Sequence, residues 1–297
     1  MVNNKWQNGL PYVGNKRSKV KDILATLPSG DRLIDTFGGG GCVSLHALDS
    51  AKYNSVVYND KRRDIVDLLK TLIEDRPHID LTKYVTINRK DFLNFRDNRQ
   101  GSLERAIILL CFSFGNNQKA YLFGRKIEKE RLLLTNALFH GNTGTDLDNM
   151  YLKSKDIKTI QEKYKFYHEY CYNILLKKPK RLQQLEQLQQ LERLQQVRGG
   201  VDLNYSCRDY ADLNIRKDDI VYCDPPYKNT GYTYDGFDEQ RFVDWYSHSC
   251  PSKNIFISEY HKLPNTIIVS NLGKKNTFMS NTKRKEELLL KVIKGGN

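Results

Sequence analysis

The chain has 297 residues, 39% of them hydrophobic and 11% aromatic, with a formal net charge of +13 and a pI of about 9.3. That length accommodates one large α/β domain with an inserted subdomain rather than three independent domains, and the apolar content excludes wholesale disorder. A basic excess of this size favours a polyanionic partner, because phosphates neutralised on binding release their counterions; solubility alone is the plainer explanation.

The six cysteines, Cys42, Cys111, Cys171, Cys207, Cys223 and Cys250, form no C-x-x-C pair, and no histidine cluster completes a zinc set. A disulfide framework and a metal site are therefore poor readings, and a reduced, cytoplasmic setting fits best. The opening residues MVNNKWQNGLPY lack the apolar stretch of a signal peptide, and the longest apolar run, Ala106 to Phe112, is too short to span a bilayer. No membrane role is expected.

In chain order, Lys16 to Thr26 has Val20, Ile23, Leu24 and Leu27 at helical spacing. A short strand, Arg32 to Asp35, runs into the glycine loop Asp35-Thr36-Phe37-Gly38-Gly39-Gly40-Gly41 and then a helix from Cys42 to Leu48. Ser55 to Tyr58 reads as a second strand closed by Asn59-Asp60, followed by an amphipathic helix carrying Ile65, Leu68, Leu69, Leu72 and Ile73. Strand, turn, helix and strand in this order make a βαβ unit and predict a parallel sheet.

From about Asp75 to Gly200 the chain is charged and helix-rich, broken at Phe114-Gly115-Asn116-Asn117 and Gly141-Asn142-Thr143-Gly144, and reads as a largely helical insertion. Within it the leucines at 182, 185, 188, 191 and 194 are always three apart. Such a stripe slips about 60° backwards per step, unlike a coiled-coil seam, which favours a structural helix or spacer over an oligomerisation element. Strands resume at Asp202 to Ser206, Asp219 to Cys223, Asn254 to Ser258 and Thr266 to Ser270, with a last one near Glu287 to Ile293 pairing as a hairpin. The predicted division is 1–75 with 201–297 as one domain and 76–200 as the inserted one.

The chemistry centres on Asp224-Pro225-Pro226-Tyr227, directly after the apolar strand Ile220-Val221-Tyr222-Cys223. Ligands of open α/β sheets bind beyond the carboxyl ends of strands. The Asp224 carboxylate and the Pro225 carbonyl are able to accept hydrogen bonds from an –NH₂ group, which draws a planar amine toward tetrahedral geometry and aims its lone pair at a methyl sulfonium. Consecutive prolines preorganise those acceptors, and Tyr227 offers a face for an extruded base. The competing reading is a turn that merely contains Asp-Pro. The glycine loop lets a ligand approach the backbone closely but is equally compatible with a structural turn, and Asp60 is placed either to grip ribose hydroxyls or to cap the helix after it.

On these residues the chain resembles the Dam-type adenine-specific DNA methyltransferases, in particular their phage-borne branch. Tyr12-Val13-Gly14-Asn15-Lys16 is similar to the family's amino-terminal cofactor block, Leu33 to Gly40 to its glycine loop, Val57-Tyr58-Asn59-Asp60 to its ribose block, and Val221 to Tyr227 to its catalytic block, in the alpha order. Tyr12 stands where cellular members carry tryptophan, and Gly14-Asn15-Lys16 where they carry Gly-Gly-Lys. The resemblance implies an α/β fold: a Rossmann-like S-adenosylmethionine-dependent methyltransferase sheet with an inserted, mainly helical DNA-recognition subdomain. It further implies methylation of the 6-amino group of a flipped adenine in double-stranded DNA by a monomeric enzyme that requires no protein partner. The expected cofactor residues are Tyr12, Lys16, Asp35, Phe37, Gly38, Gly40, Asp60 and Asp224, and the expected catalytic residues are Asp224, Pro225, Pro226 and Tyr227.

Target reading is expected between Phe114 and Arg131, from Asn117, Gln118, Lys119 and Arg125, with an ordinary polar loop as the alternative. Asp at position 224 argues against cytosine, an RNA base or a glutamine amide as the methylated amine, and the absence of a Pro-Cys dipeptide argues against covalent attack at cytosine carbon-5. An inert DNA-binding protein that keeps the fold is a rival from another class, disfavoured by the intact Lys16, Asp224 and Tyr227.

Overall fold

The computed structural model describes residues 8–74, 78–98, 100–196, 203–226, 237–274 and 286–294. The chain falls into two compact units, one of Met1–Val13 with Asp67–Gly199 and one of Gly14–Val66 with Gly200–Asn297. In chain order the regular elements are α1 (Val20–Thr26), β1 (Gly30–Asp35), α2 (Cys42–Asp49), β2 (Tyr53–Asn59), α3 (Arg63–Glu74), α4 (Arg89–Asp97), α5 (Leu103–Cys111), α6 (Arg125–Phe139), α7 (Asp148–Ser154), α8 (Ile160–Asn173), α9 (Gln183–Gln195), β3 (Leu203–Ser206), β4 (Ile220–Cys223), α10 (Glu239–Asp244), β5 (Asn254–Glu259), β6 (Thr266–Lys274) and β7 (Glu286–Val292).

The second unit is built on one seven-stranded sheet in the order β3-β2-β1-β4-β5-β7-β6. β3, β2, β1, β4 and β5 run parallel, and β7 is antiparallel to both β5 and β6. This is the expected α/β architecture, with the anticipated terminal hairpin made by β6 and β7. The last strand does more than close a hairpin, however: it slots between β5 and β6. Its burial explains why, since Glu287, Leu289, Leu290 and Val292 are all buried. β4 is buried at all four positions, as a central parallel strand covered on both faces must be. On one face Ile34, Val221, Cys223, Ile255, Ile257, Leu290 and Val292 form a continuous core with Phe242, Trp245, Tyr246 and Cys250 from α10 and the π turn after it.

The boundaries of α1 and β6 depart furthest from the sequence expectation. The first helix starts at Val20 rather than Lys16, with Lys16 to Lys19 forming only a turn. Asn15 Oδ1 takes the Arg17 N–H at 2.8 Å, and such local side-chain bonds compete with a helical start. β6 continues past two bulges to Lys274 instead of ending near Ser270.

The first unit is helical in its described residues apart from short turns and one isolated β-bridge. Three of its helices start on side-chain caps: Asn88 and Asp91 form a reciprocal capping box on α4, Ser102 caps α5 and Thr159 caps α8. All five leucines of the three-residue stripe are buried, together with Gln184, Gln189 and Gln195, so α9 is a core helix enclosed on several faces. A drifting stripe suits such a helix, because no single seam has to hold it. Leu188→Ala is expected to destabilise this unit by about 2–5 kcal/mol through transfer and cavity costs, read from urea denaturation.

Candidate active site

The order β3-β2-β1-β4-β5 reverses between β1 and β4, and the carboxyl ends of these two strands flank the crevice where open α/β sheets take ligands. Asp35 ends β1, Asp60 follows β2, Asp224 follows β4, Glu259 ends β5, and Glu287 opens the antiparallel β7 at the same edge. The β1–β4 seam is closed by Thr36, whose N–H and hydroxyl both donate to the Tyr222 carbonyl at 3.0 Å. β4 then stops, since Pro225 and Pro226 have no N–H for the ladder. One strand further, the Tyr222 and Ser258 hydroxyls are 2.8 Å apart, locking β4 to β5 just before Asp224.

The glycine loop folds over the end of β2. Gly38 N–H donates to the Asn59 carbonyl at 2.7 Å, Gly39 N–H to Asp60 Oδ2 at 3.0 Å, and the Tyr58 hydroxyl to the Gly39 carbonyl at 2.7 Å. A Cβ at Gly38 would lie 2.3 Å from the Tyr58 ring, so glycine is obligatory there. Gly40 lies buried in the same turn. Asp60 also accepts the Arg62 N–H at 2.8 Å, a local turn just before α3 begins at Arg63. A carboxylate has about four acceptor sites, so two backbone donors leave capacity for a ligand. Phe37 packs in an aromatic cluster, its ring centroid 5.3 Å from Tyr210, 5.9 Å from Phe237 and 5.7 Å from Phe242.

Lys16 carries the central charge. Its Nζ lies 2.6 Å from Asp224 Oδ2 and 3.1 Å from Glu287 Oε1, with Lys16 and Glu287 4% and 2% exposed and Asp224 18% exposed. Burial alone would depress the ammonium's pKa, but the charges of Asp224 and Glu287 outweigh it and hold it above the ordinary lysine value. Asp35 is buried and accepts the Ser44 hydroxyl at 2.6 Å. Burial pushes Asp35 up to about 7; the Ser44 bond opposes this, and the charges of Asp224 and Asp60 add to it. Burial raises Asp60 as well, against the N–H groups of Arg62 and Gly39. Glu259 is pushed up to about 7, chiefly by burial, although the Tyr260 N–H bonds its carboxylate.

Of the expected site residues, Lys16, Asp35, Gly38, Gly40, Asp60 and Asp224 thus lie along one sheet edge and its loops, with Pro225 and Pro226 continuing from it. Tyr12 is buried and belongs to the other unit. Tyr227 lies outside the described residues. Three residues were not anticipated as members of the site: Glu259, Glu287 and Asn59. The buried Asn59 side chain donates to the Thr36 and Arg208 carbonyls and accepts the Arg208 N–H, tying the ends of β1, β2 and β3 together. The signal for Glu287 was its strand alternation with the apolar Leu289, which puts an acid on a buried face.

The expected reading segment forms a closed loop in the helical unit. Ser113 and Tyr121 pair as an antiparallel bridge, and Phe114 N–H donates to the Ala120 carbonyl at 2.8 Å. Gly115, Asn116 and Gln118 have φ near +60°. Asn117 Oδ1 accepts the N–H groups of Lys119 and Ala120 at 2.8 and 2.9 Å, so this oxygen shapes the turn; Lys119 and Arg125 are exposed. Among the described residues no group of three or more His, Cys, Asp or Glu is placed to hold a metal, and no helix is long and apolar enough to cross a membrane.

A sheet in this order, with a glycine loop after β1, an acid after β2 and Asp-Pro-Pro after β4, defines a methyltransferase-type α/β fold. The family model of the D12 class N6 adenine-specific DNA methyltransferases matches residues 12–291, and the chain belongs to that family. It is an adenine DNA methyltransferase, and DNA is its substrate. No curated protein sequence matched the chain.

Asp35 titrates at about 7 in the folded chain and at 3.8 when exposed. A raised folded-state pKa gives stability that is full below the unfolded value and lost as pH rises through the folded one. From about pH 6 to about pH 8 this group alone costs about 1.4 kcal/mol. Glu259 acts with the same sign. Asp35→Asn, which still accepts the Ser44 bond, is expected to remove part of this slope in urea titrations across that range.

Proposed function

We propose that the chain binds S-adenosylmethionine along the carboxyl ends of β1, β2 and β4 and methylates the 6-amino group of an adenine extruded from duplex DNA. The observation that carries the reading is Asp224: an acid leaving a fully buried strand at the sheet's switch point, held by Lys16 and still partly open to solvent. The donor set fits the cofactor. A sulfonium cation is matched by an edge rich in carboxylates, ribose hydroxyls by the remaining acceptor sites of Asp60, and close approach by the glycine loop. Tyr12 and Lys16 complete the binding set, with Asp35, Phe37, Gly38 and Gly40 shaping the pocket wall.

The cofactor supplies a methyl group activated by its positive sulfur. The protein's part is to hold the amine. Asp224 and the Pro225 carbonyl accept its two N–H bonds, and Pro226 keeps these acceptors rigid so that they need no reorganisation in the transition state. Tyr227 stacks on the extruded base. Residues 76–200 serve as the target-recognition region of a monomeric enzyme that works without a protein partner, in the cytoplasm of a bacterial cell or an infected host. Phosphates are held by dispersed lysines and base edges are read from Asn117, Gln118, Lys119 and Arg125.

Asp224→Ala is expected to abolish tritiated methyl transfer to DNA while leaving the fold intact, and near wild-type transfer would overturn the mechanism. Asp60→Ala is expected to weaken S-adenosylmethionine binding roughly ten- to a hundred-fold, the loss of a charged hydrogen bond, by calorimetry. Alanine at Asn117, Gln118, Lys119 or Arg125 should relax the methylated motif at one position, worth about 1–3 kcal/mol of discrimination, in genome-wide maps of methylated sites. An unchanged motif in all four would shift recognition to the loop from Gly141 to Thr145.

A further inference from the structure

The Lys16 ammonium has three protons to donate, and among its neighbours are Asp224 Oδ2 at 2.6 Å, Glu287 Oε1 at 3.1 Å and the Gly14 carbonyl at 3.4 Å. These come from the end of β4, the start of β7 and the segment before α1. A lysine paired with Asp224 alone would form a neutral couple on a flexible four-carbon stem. Glu287 alters both properties. At 2% exposed it is even more buried than Lys16, and it holds the ammonium as a second carboxylate beside the more exposed Asp224. Two carboxylates then share one cation and the trio keeps a net negative charge. Lys16 engages Asp224 at Oδ2, and Asp224 is the acceptor that the proposed reaction requires.

We infer that Glu287 is a positioning residue for methyl transfer: it fixes the Lys16 ammonium against Asp224 Oδ2 and, by sharing that cation, leaves the trio with a net negative charge beside the substrate amine. This rests on the function proposed above, yet part of its test is independent of activity. Glu287→Gln keeps the side chain's size and an acceptor oxygen while removing the charge. In the full-length chain, Lys16 of this variant is expected to be acetylated several-fold faster by an amine-reactive acetyl ester, followed by mass spectrometry, with the melting temperature little changed. Single-turnover methyl transfer should fall roughly ten- to a hundred-fold, the scale of a lost charged hydrogen bond, with KM for DNA nearly constant, and Glu287→Asp should restore most of the rate.

In a Lys16→Gln background, Glu287→Gln should cause no further loss, because the group through which it acts is gone. A merely structural glutamate would lower the rate equally in both backgrounds, and that result overturns the assignment. Unchanged Lys16 acetylation in Glu287→Gln overturns it too. If Glu287→Gln does not fold, the double variant Lys16→Gln/Glu287→Gln, free of both buried charges, should fold; failure of both variants also overturns the assignment. A wild-type chain that transfers no methyl to DNA would defeat the proposed function, while the acetylation result would still decide whether Glu287 holds Lys16.

Discussion

Taking an ammonium and two carboxylates out of water costs several kcal/mol per ion, and the cost is met only where geometry and hydrogen bonding are good. The Lys16–Asp224–Glu287 cluster meets that condition with contacts of 2.6 and 3.1 Å. It also joins three stretches that lie far apart in the sequence. Asp224-Pro225-Pro226 has left the sheet, Lys16 precedes the first helix, and Glu287 begins a strand that enters late and antiparallel. Exposed pairs such as Lys70–Glu74 and Lys165–Glu169, at 3.8 Å, contribute little by comparison, because solvent screens them. Removing Lys16 would leave two buried carboxylates without their cation, whereas neutralising either carboxylate leaves Lys16 paired with the other, so the members do not weigh equally on the fold.

Around this centre one residue type is tuned to different tasks by its surroundings. Asp35, enclosed and bonded by Ser44, sits near neutrality at about 7. Asp60 is spent partly on backbone N–H groups and acts as a clip between the glycine loop and the turn into α3. Asp224, the most exposed of the cluster at 18%, keeps a lysine at its side. Environments that push neighbouring carboxyl groups apart in pKa are how a single fold assigns them separate roles. With Asp35 raised to about 7, part of it is protonated near neutral pH and less negative charge competes at the crevice.

Most of the sheet was legible because each strand is short, apolar and followed by a turn signal: Ile220 to Cys223 before two prolines, Arg32 to Asp35 before four glycines. The motif residues Lys16, Asp60 and Asp224 were legible as chemistry. Less visible was whatever depends on partners distant in sequence. The position of β7 between β5 and β6 follows from burial on both sides, which a hairpin reading does not require. Glu287 falls at the start of the predicted last strand, and only the pairing of β7 beside β5 shows that this acid is turned inward. The start of α1 was misjudged for a related reason. Lys16 has helical neighbours in sequence, but it serves the site, and Asn15 caps the backbone there instead.

The helical unit solves a comparable problem with different chemistry. Its loop from Ser113 to Tyr121 holds Asn116 and Gln118 in left-handed conformations, each costing of order 1 kcal/mol for a residue with a Cβ. That strain persists because the loop's root is over-determined. Buried Arg131 donates to the Ile87 carbonyl at 2.7 Å and to the Tyr121 hydroxyl at 3.2 Å, and its guanidinium lies 4.8 Å from the Phe123 ring centroid. Arg89 lies over the Tyr121 ring at 4.8 Å. Glu128 is 3.8 Å from Arg89, and its charge also reaches Arg131. Two guanidiniums around one carboxylate leave this base net positive, the opposite sign from the Lys16 cluster. A loop shaped in advance loses little entropy when it meets a ligand, and a positive root favours a polyanion. Each unit therefore encloses a buried cation, but the balance of its partners differs: two carboxylates, Asp224 and Glu287, at Lys16, and the carboxylate of Glu128 beside Arg89 and Arg131.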